Sequence, residues 1–471
     1  MKNPILTLIL FVTALGFLSS PPAKGQVEDR PDANIAGIPV NYTEAKVGDF
    51  ALPDPLKLAN GQPVKDGRTW TEQRRPELLK YYQSEIYGRI PATAPKVTWQ
   101  VISNDNNALG GIAIMKQLAG HMGGPDGPAI GVTLYTPAKA AKPVPALVSI
   151  SFNFGARGAG ARGRAGGATN AMGTNAVAPP AVPGGAAAPT NALAATAATG
   201  TTNTARAGAP GGMRGFGGPQ RGTPAELITN GFAYATIIYN SIETDRDGQT
   251  NVDIVRKLAL APGQTVPAAD EWGTITAWAW GISRVMDYLE TDKAVDAKRV
   301  AITGVSRLGK TVPWAGASDP RIALVIASCG GEGGAALARR NYGETIAHLV
   351  APTRYPYQFA GNYAKYAKDP SQLAVDTHCL VALMAPRPLL LQTGNTDGWS
   401  DPKGEFLAAV AARPVFELFG KKGPETDELP PAGKFVGDTL GYYMHAGGHG
   451  TIPSDWDVYL KFMTDHLKPG S

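Results

Sequence analysis

The 471-residue chain is short of cysteine, of long apolar runs and of charge. Its two cysteines, Cys329 and Cys379, can close at most one disulfide, which excludes a disulfide-framed scaffold. Neither belongs to a Cys-x-x-Cys pair or adjoins a cluster of histidines, so no metal site and no other cofactor is expected. Past the N-terminus no stretch is apolar enough to span a bilayer. The run from Ile5 to Leu18 in "MKNPILTLILFVTALGFLSSPPAKGQ" follows Lys2 and is too short to cross one. It predicts a signal peptide over residues 1–25, cut after Gly25, and hence an exported protein, periplasmic or secreted, with no membrane span.

Lysine and acidic residues are absent from 156–222, a Gly-, Ala-, Thr- and Pro-rich stretch with six arginines and Phe216 as its sole aromatic. Against a net charge of +5 for the whole chain, those arginines leave the remainder at −1. The folded body therefore lacks the basic excess that nucleic-acid binding requires. Such a composition buries too little apolar surface to offset the entropy of ordering, and it predicts a disordered insertion.

What remains is 43% hydrophobic and alternates between short β-branched runs and helical periodicity. Strands are predicted at Lys96–Ser103, Ala129–Pro137, Pro145–Asn153 and Phe232–Asn240, then at "KRVAITG", "RIALVIAS", "RPLLLQTG" and "TLGYYMHA". The clearest helix runs from Glu271 to Asp292. The pattern predicts one α/β domain over 26–471, with a mostly parallel sheet sandwiched by helices and the insertion after its third strand.

At the end of the fifth strand lies "AITGVSRLGKTVPWAGA" (Ala301–Ala317), which sets Ser306 between glycines just before a helix. A nucleophile elbow normally reads Gly-x-Ser-x-Gly, but here Gly309 comes one residue late. The α/β-hydrolase order places an acid after strand seven and a histidine after strand eight. Asp397 and Asp401 in "NTDGWSDP", and His445 and His449 in "HAGGHG", occupy those places. His449 is preferred because it falls in the loop, where an imidazole can reach Ser306, and Asp397 because it stands nearer the strand end. Asp401-Pro402 also reads as a helix cap. His121, His348, His378 and His466 read as structural, although Asp376 stands two residues before His378 and could orient it.

"GVSRLGK" resembles the Gly-x-Ser-Arg-x-Gly-Lys signature of the glucuronoyl esterases, carbohydrate esterase family 15, and so does the late glycine. "GGEGGAALARRNYGE", "VDTHCLVALMAPRPLLL", "DGWSDPKGEF" and "GGHGTIPSDWDVYL" extend the resemblance across most of Leu78–Leu467. It implies a metal-independent serine esterase of the α/β-hydrolase fold that cleaves esters of (4-O-methyl-)glucuronic acid, such as those joining glucuronoxylan to lignin. It further implies Ser306 as nucleophile, His449 as base and Arg307 as oxyanion donor, with Lys310, Glu344 and Trp399 holding the sugar. Fungal members carry the acid after strand six, where this chain has Cys329, so the acid is expected at Asp397 as in bacterial members, with Glu332 as understudy. A deacetylase of acetyl-xylan or a related carbohydrate, and an inactive carbohydrate-binding protein, are the competing readings. A monomer is expected.

Overall fold

The computed structural model describes residues 25–152, 221–246 and 252–468. The predicted signal peptide lies outside these except for Gly25, whose N–H donates to the Leu429 carbonyl at 2.8 Å. The predicted insertion also lies outside them, apart from its last two residues. Arg221 pairs with Glu226 and with Asp457, each at 2.5 Å, so it packs with the described body although the reading placed it in the insertion.

A two-stranded hairpin, β1 (Ala33–Ile35) and β2 (Ile38–Val40), precedes a ten-stranded sheet. In chain order the sheet strands are β3 (Val97–Asn107), β4 (Ala113–Met122), β5 (Ala129–Pro137), β6 (Val144–Ser151) and β7 (Ala233–Ile238). They continue as β8 (Val295–Val305), β9 (Leu324–Ser328), β10 (Leu389–Gly394), β11 (Val436–Gly437) and β12 (Leu440–His445). Their spatial order is β3-β4-β5-β7-β6-β8-β9-β10-β12-β11. Strands β7 to β12 along this order pair in parallel, whereas β3, β4, β5 and the edge strand β11 pair antiparallel. This is the α/β-hydrolase arrangement with one extra strand at each edge.

All eight predicted strands form. The sequence reading missed the two-residue edge strand β11, and it missed β4 because Lys116, Gln117, Gly120 and His121 break up its apolar run; β6, which precedes the insertion, is thus the fourth strand of the large sheet, not the third. Polarity tracks sheet position. In β5, "AIGVTLYTP" alternates between buried and half-buried residues because only one face meets the core. In β9 and β10 every residue is buried, as parallel strands covered on both faces require.

Three helices position the site. α1 (Thr274–Leu289) buries Trp278, Ile282 and Met286 against the sheet; α2 (Arg307–Ser318) springs from the end of β8; α3 (Pro402–Glu417) follows β10. Trp314 of α2 stacks on Tyr87 at 4.5 Å between ring centroids, and its indole N–H donates to Thr276 Oγ1 at 2.9 Å. These contacts lock α2, and with it the turn at Ser306, onto α1. Among the described residues no helix is long and apolar enough to cross a membrane.

Candidate active site

Ser306 sits between β8 and α2 with φ 62° and ψ −127°. A non-glycine residue reaches this region only at a cost of about 1–3 kcal/mol, which the surrounding structure must impose. It does so by clamping both sides of the turn: Ser306 N–H donates to the Ser328 carbonyl and Lys310 N–H to the Ser306 carbonyl, each at 2.9 Å. The two glycines make this approach possible. A Cβ on Gly304 would lie 2.5 Å from the Leu308 carbonyl oxygen, and one on Gly309 only 2.1 Å from that of Ser328. Leu308 meanwhile points wholly into the core. The late glycine therefore marks the residue of α2 that passes β9, and the shifted spacing is a built feature of this elbow.

The loops after β10 and β12 are laced together. Asn395 N–H donates to the His445 carbonyl and Thr396 N–H to the Gly447 carbonyl, each at 2.9 Å, and the Asn395 side chain accepts from Gly447 N–H at 2.9 Å. This places the Asp397 carboxylate on His449 Nδ1 at 2.7 Å. The Asp397 side chain is 3% exposed and that of His449 43%, so one is sealed and the other faces solvent. Burial pushes the Asp397 carboxyl up, but hydrogen bonds from His449 and Ser400 outweigh it and leave the group below its usual range. A permanent carboxylate on Nδ1 keeps Nε2 as the free basic nitrogen. Among the described residues Ser306 Oγ makes no hydrogen bond, so the link from imidazole to hydroxyl stays open without substrate.

The alternative acids and base have other partners. Asp401 pairs with Arg340 at 2.8 Å and caps α3 through Gly404 N–H at 3.0 Å, as its Asp-Pro context suggested. Glu332 accepts from Tyr363 OH at 2.8 Å, and burial pushes its carboxyl up to about 8. His445 is buried, with Nδ1 on Asp455 at 3.0 Å and Nε2 on the Gly448 carbonyl at 3.0 Å. His378 Nε2 meets the Pro53 carbonyl at 2.8 Å while Asp376 accepts from Ala338 N–H and Arg339, so the suggested Asp376–His378 pair does not form. Both cysteines are free and buried. Cys329 lies with Asp397 and His449 in one cluster of ligand-type atoms within 4.8 Å, at the backbone position after Ser328, and accepts from Gly450 N–H at 3.2 Å. Burial, with the nearby Asp397 and Glu405 carboxylates, raises its thiol well above the usual value.

Beside the elbow, Lys310 and Glu344 form a buried pair at 2.7 Å. Lys310 also donates to the carbonyls of Gly330 at 3.0 Å and Glu332 at 2.7 Å, so all three ammonium protons are engaged. Glu344 retains acceptor capacity, and its N–H is tied to the Trp399 carbonyl at 2.9 Å. Trp399 remains half-buried, flanked by Arg354 at 5.1 Å from its ring centre. Arg307 begins α2, so its N–H lacks an intrahelical acceptor. Its guanidinium lies over Tyr355 at 4.8 Å and pairs with Asp245. Asp245, Arg354 and Tyr355 were not singled out in the sequence, since nothing in "ETDRDG" or "PTRYPY" carries a motif.

A family model described as glucuronyl esterase, fungi, matches residues 266–420. Over 444 residues the chain is 34% identical to carbohydrate esterase MZ0003 from an unknown prokaryotic organism, covering 94% of this chain and 96% of that protein. The solved structure of a glucuronoyl esterase from Solibacter usitatus is 39% identical and superposes with a TM-score of 0.72 over 90% of this chain and all of that one. A structure titled as a promiscuous CE15 esterase from a marine bacterial metagenome is 32% identical, with a TM-score of 0.71 over 91% of this chain and all of that one.

Proposed function

Because the chain belongs to carbohydrate esterase family 15, we propose that it is a serine esterase acting on esters of (4-O-methyl-)D-glucuronic acid, as in the linkages between glucuronoxylan and lignin. The observation that carries the mechanism is the sealed Asp397 on a solvent-facing His449, at the same strand edge as the strained Ser306 turn. His449 takes the Ser306 proton as Oγ attacks the ester carbonyl carbon, and the oxygen that becomes negative is met by the Arg307 backbone N–H and guanidinium. The imidazolium then gives its proton to the departing alcohol, leaving a uronosyl ester on Ser306. Water, deprotonated by His449, attacks that ester and releases glucuronate.

The sugar lies on the acyl side and stays bound through both steps. Trp399 supplies an apolar platform and Glu344 accepts from ring hydroxyls. Lys310, its protons spent on Glu344 and two carbonyls, fixes the carboxylate that does the accepting. The enzyme works as an exported monomeric single domain, with 156–222 as a disordered insertion and residues 1–25 as its signal peptide.

The test is hydrolysis of methyl glucuronate beside an acetylated sugar. Turnover of the glucuronate ester at least about tenfold above the acetate supports this reading. The reverse preference makes the protein a deacetylase, and no turnover of either, with binding retained, makes it a carbohydrate-binding protein. Glu344→Ala should lower kcat/KM on methyl glucuronate about ten- to a thousandfold, by loss of charge-assisted hydrogen bonding, and leave nitrophenyl acetate unchanged.

A further inference from the structure

Asp245 follows β7, which lies on the other side of β8 in the sheet from β10 and β12, the strands that precede Asp397 and His449. Its side chain is 1% exposed, and a carboxylate so buried must be fully hydrogen-bonded. One oxygen takes Arg307 Nη1; the other accepts from Tyr357 OH at 2.6 Å and from Gln358 Nε2 at 3.1 Å. The carboxylate is thus anchored on one oxygen by two neutral donors and presents the other to a single guanidinium. Arg307 is gripped at one nitrogen by Asp245 and on one face by Tyr355, whose ring is in turn covered by Arg354 at 4.7 Å. The other guanidinium nitrogens, Nε and Nη2, have no partner among the described residues and are not buried. A guanidinium has five N–H donors in a rigid plane, so holding one nitrogen and one face fixes where the remaining donors point.

We propose that Asp245, backed by Tyr357 and Gln358, is the positioning residue for Arg307, fixing the guanidinium so that its unused N–H groups meet the charge that develops on the ester oxygen. The inference rests on the role assigned to Arg307 in the esterase mechanism. Without the carboxylate, the long side chain swings among rotamers, and the donors lose the preorganisation that makes them effective in the transition state. Ground-state binding of the sugar goes through Glu344 and Trp399 and does not involve Asp245.

The experiment is a double-mutant cycle on full-length enzyme with methyl glucuronate. Asp245→Asn should lower kcat about 10- to 100-fold with KM within about threefold. In an Arg307→Ala background the same change should cost less than about twofold, because the group it positions is gone. Should Asp245→Asn not fold, Tyr357→Phe and Gln358→Leu, which each loosen the anchor of the carboxylate, should show a smaller loss of the same kind, again absent from the Arg307→Ala background. Losses that multiply in the two backgrounds, or a loss confined to KM, overturn the positioning role. A wild-type kcat for Asp245→Asn overturns it as well. If Arg307→Ala itself leaves kcat intact, the oxyanion role of Arg307 fails instead, which separates that failure from this one.

Discussion

Two histidines four residues apart at the end of β12 each pair with an aspartate, and the two pairs differ in every other respect. His449 and Asp397 form a bond of 2.7 Å with the imidazole open to solvent; His445 and Asp455 form one of 3.0 Å with both side chains sealed. His445 has both ring nitrogens occupied, by Asp455 and by the Gly448 carbonyl, and so no lone pair left for a substrate. The comparison teaches that a carboxylate on an imidazole does not by itself make a base. What sets the proposed base apart is a second nitrogen with no partner among the described residues, at the edge of the sheet where Ser306 emerges. The inner pair instead ties the loop to the last helix, since Asp455 also accepts from Ile452 N–H at 2.8 Å.

The sharpest way to break this contrast is to exchange the losses. His449→Ala and Ser306→Ala should each reduce kcat by about 10⁴-fold or more with the melting temperature nearly unchanged. His445→Ala should leave folded enzyme active but cost about 2–4 kcal/mol in chemical denaturation, by opening a cavity and removing one partner of the buried Asp455. An active His449→Ala beside a dead but folded His445→Ala would reverse the assignment.

The acids should follow their histidines. Asp397→Asn is expected to lower kcat by about 10²–10⁴-fold through loss of tautomer control and imidazolium stabilisation. Asp455→Asn should act on stability alone, and equal kcat losses for the two would show that the inner pair reaches the chemistry.

A pH titration of stability sharpens the comparison further. Burial pushes His445 down, but hydrogen bonds to Asp455 and to the Gly448 carbonyl, with the Asp455 charge, leave it above its usual value. The folded protein therefore holds that proton more tightly than the unfolded chain, so the pair stabilises fully below about pH 6.5, the unfolded value, and the benefit is lost as pH rises through the higher folded value. Denaturation midpoints measured from pH 5 to 9 should carry this component, and His445→Gln should remove it.

The smallest effect on activity is expected from Glu332→Gln, within about threefold in kcat, since its carboxyl serves Tyr363 and not His449. On stability the sign is definite. With a folded value of about 8, well above the ordinary 4.5, Glu332 binds its proton more tightly when folded, so it destabilises the protein progressively from pH 4.5 to about 8. The Gln variant should be more stable than the parent at pH 8 and should lose that advantage near pH 4.5. A kcat loss matching that of Asp397→Asn would reopen the loop after β9 as the source of the acid.

Much of this protein was legible in the chain. Periodicity located eight strands and the long helix because burial on one face or two leaves different hydrophobic rhythms, and chain order set Ser306, Asp397 and His449 in sequence because parallel strands deliver their loops to one edge. The placement of the two histidines also followed, His445 ending β12 and His449 lying in the loop beyond it, since one stood inside the strand pattern and the other after it. Local sequence could not locate β4 or the polar end of β3, whose ladder is held by partner strands and not by apolar residues. Nor could it explain the late glycine, which answers to the Ser328 carbonyl of β9. The surroundings of Arg307 were the least visible, because Asp245, Tyr355 and Tyr357 come from separate loops with no shared spacing. Residue types and their order are local properties that a chain carries with it, whereas the partner of a charge and the exposure of a ring depend on which distant segments fold against it, and only the tertiary structure decides that.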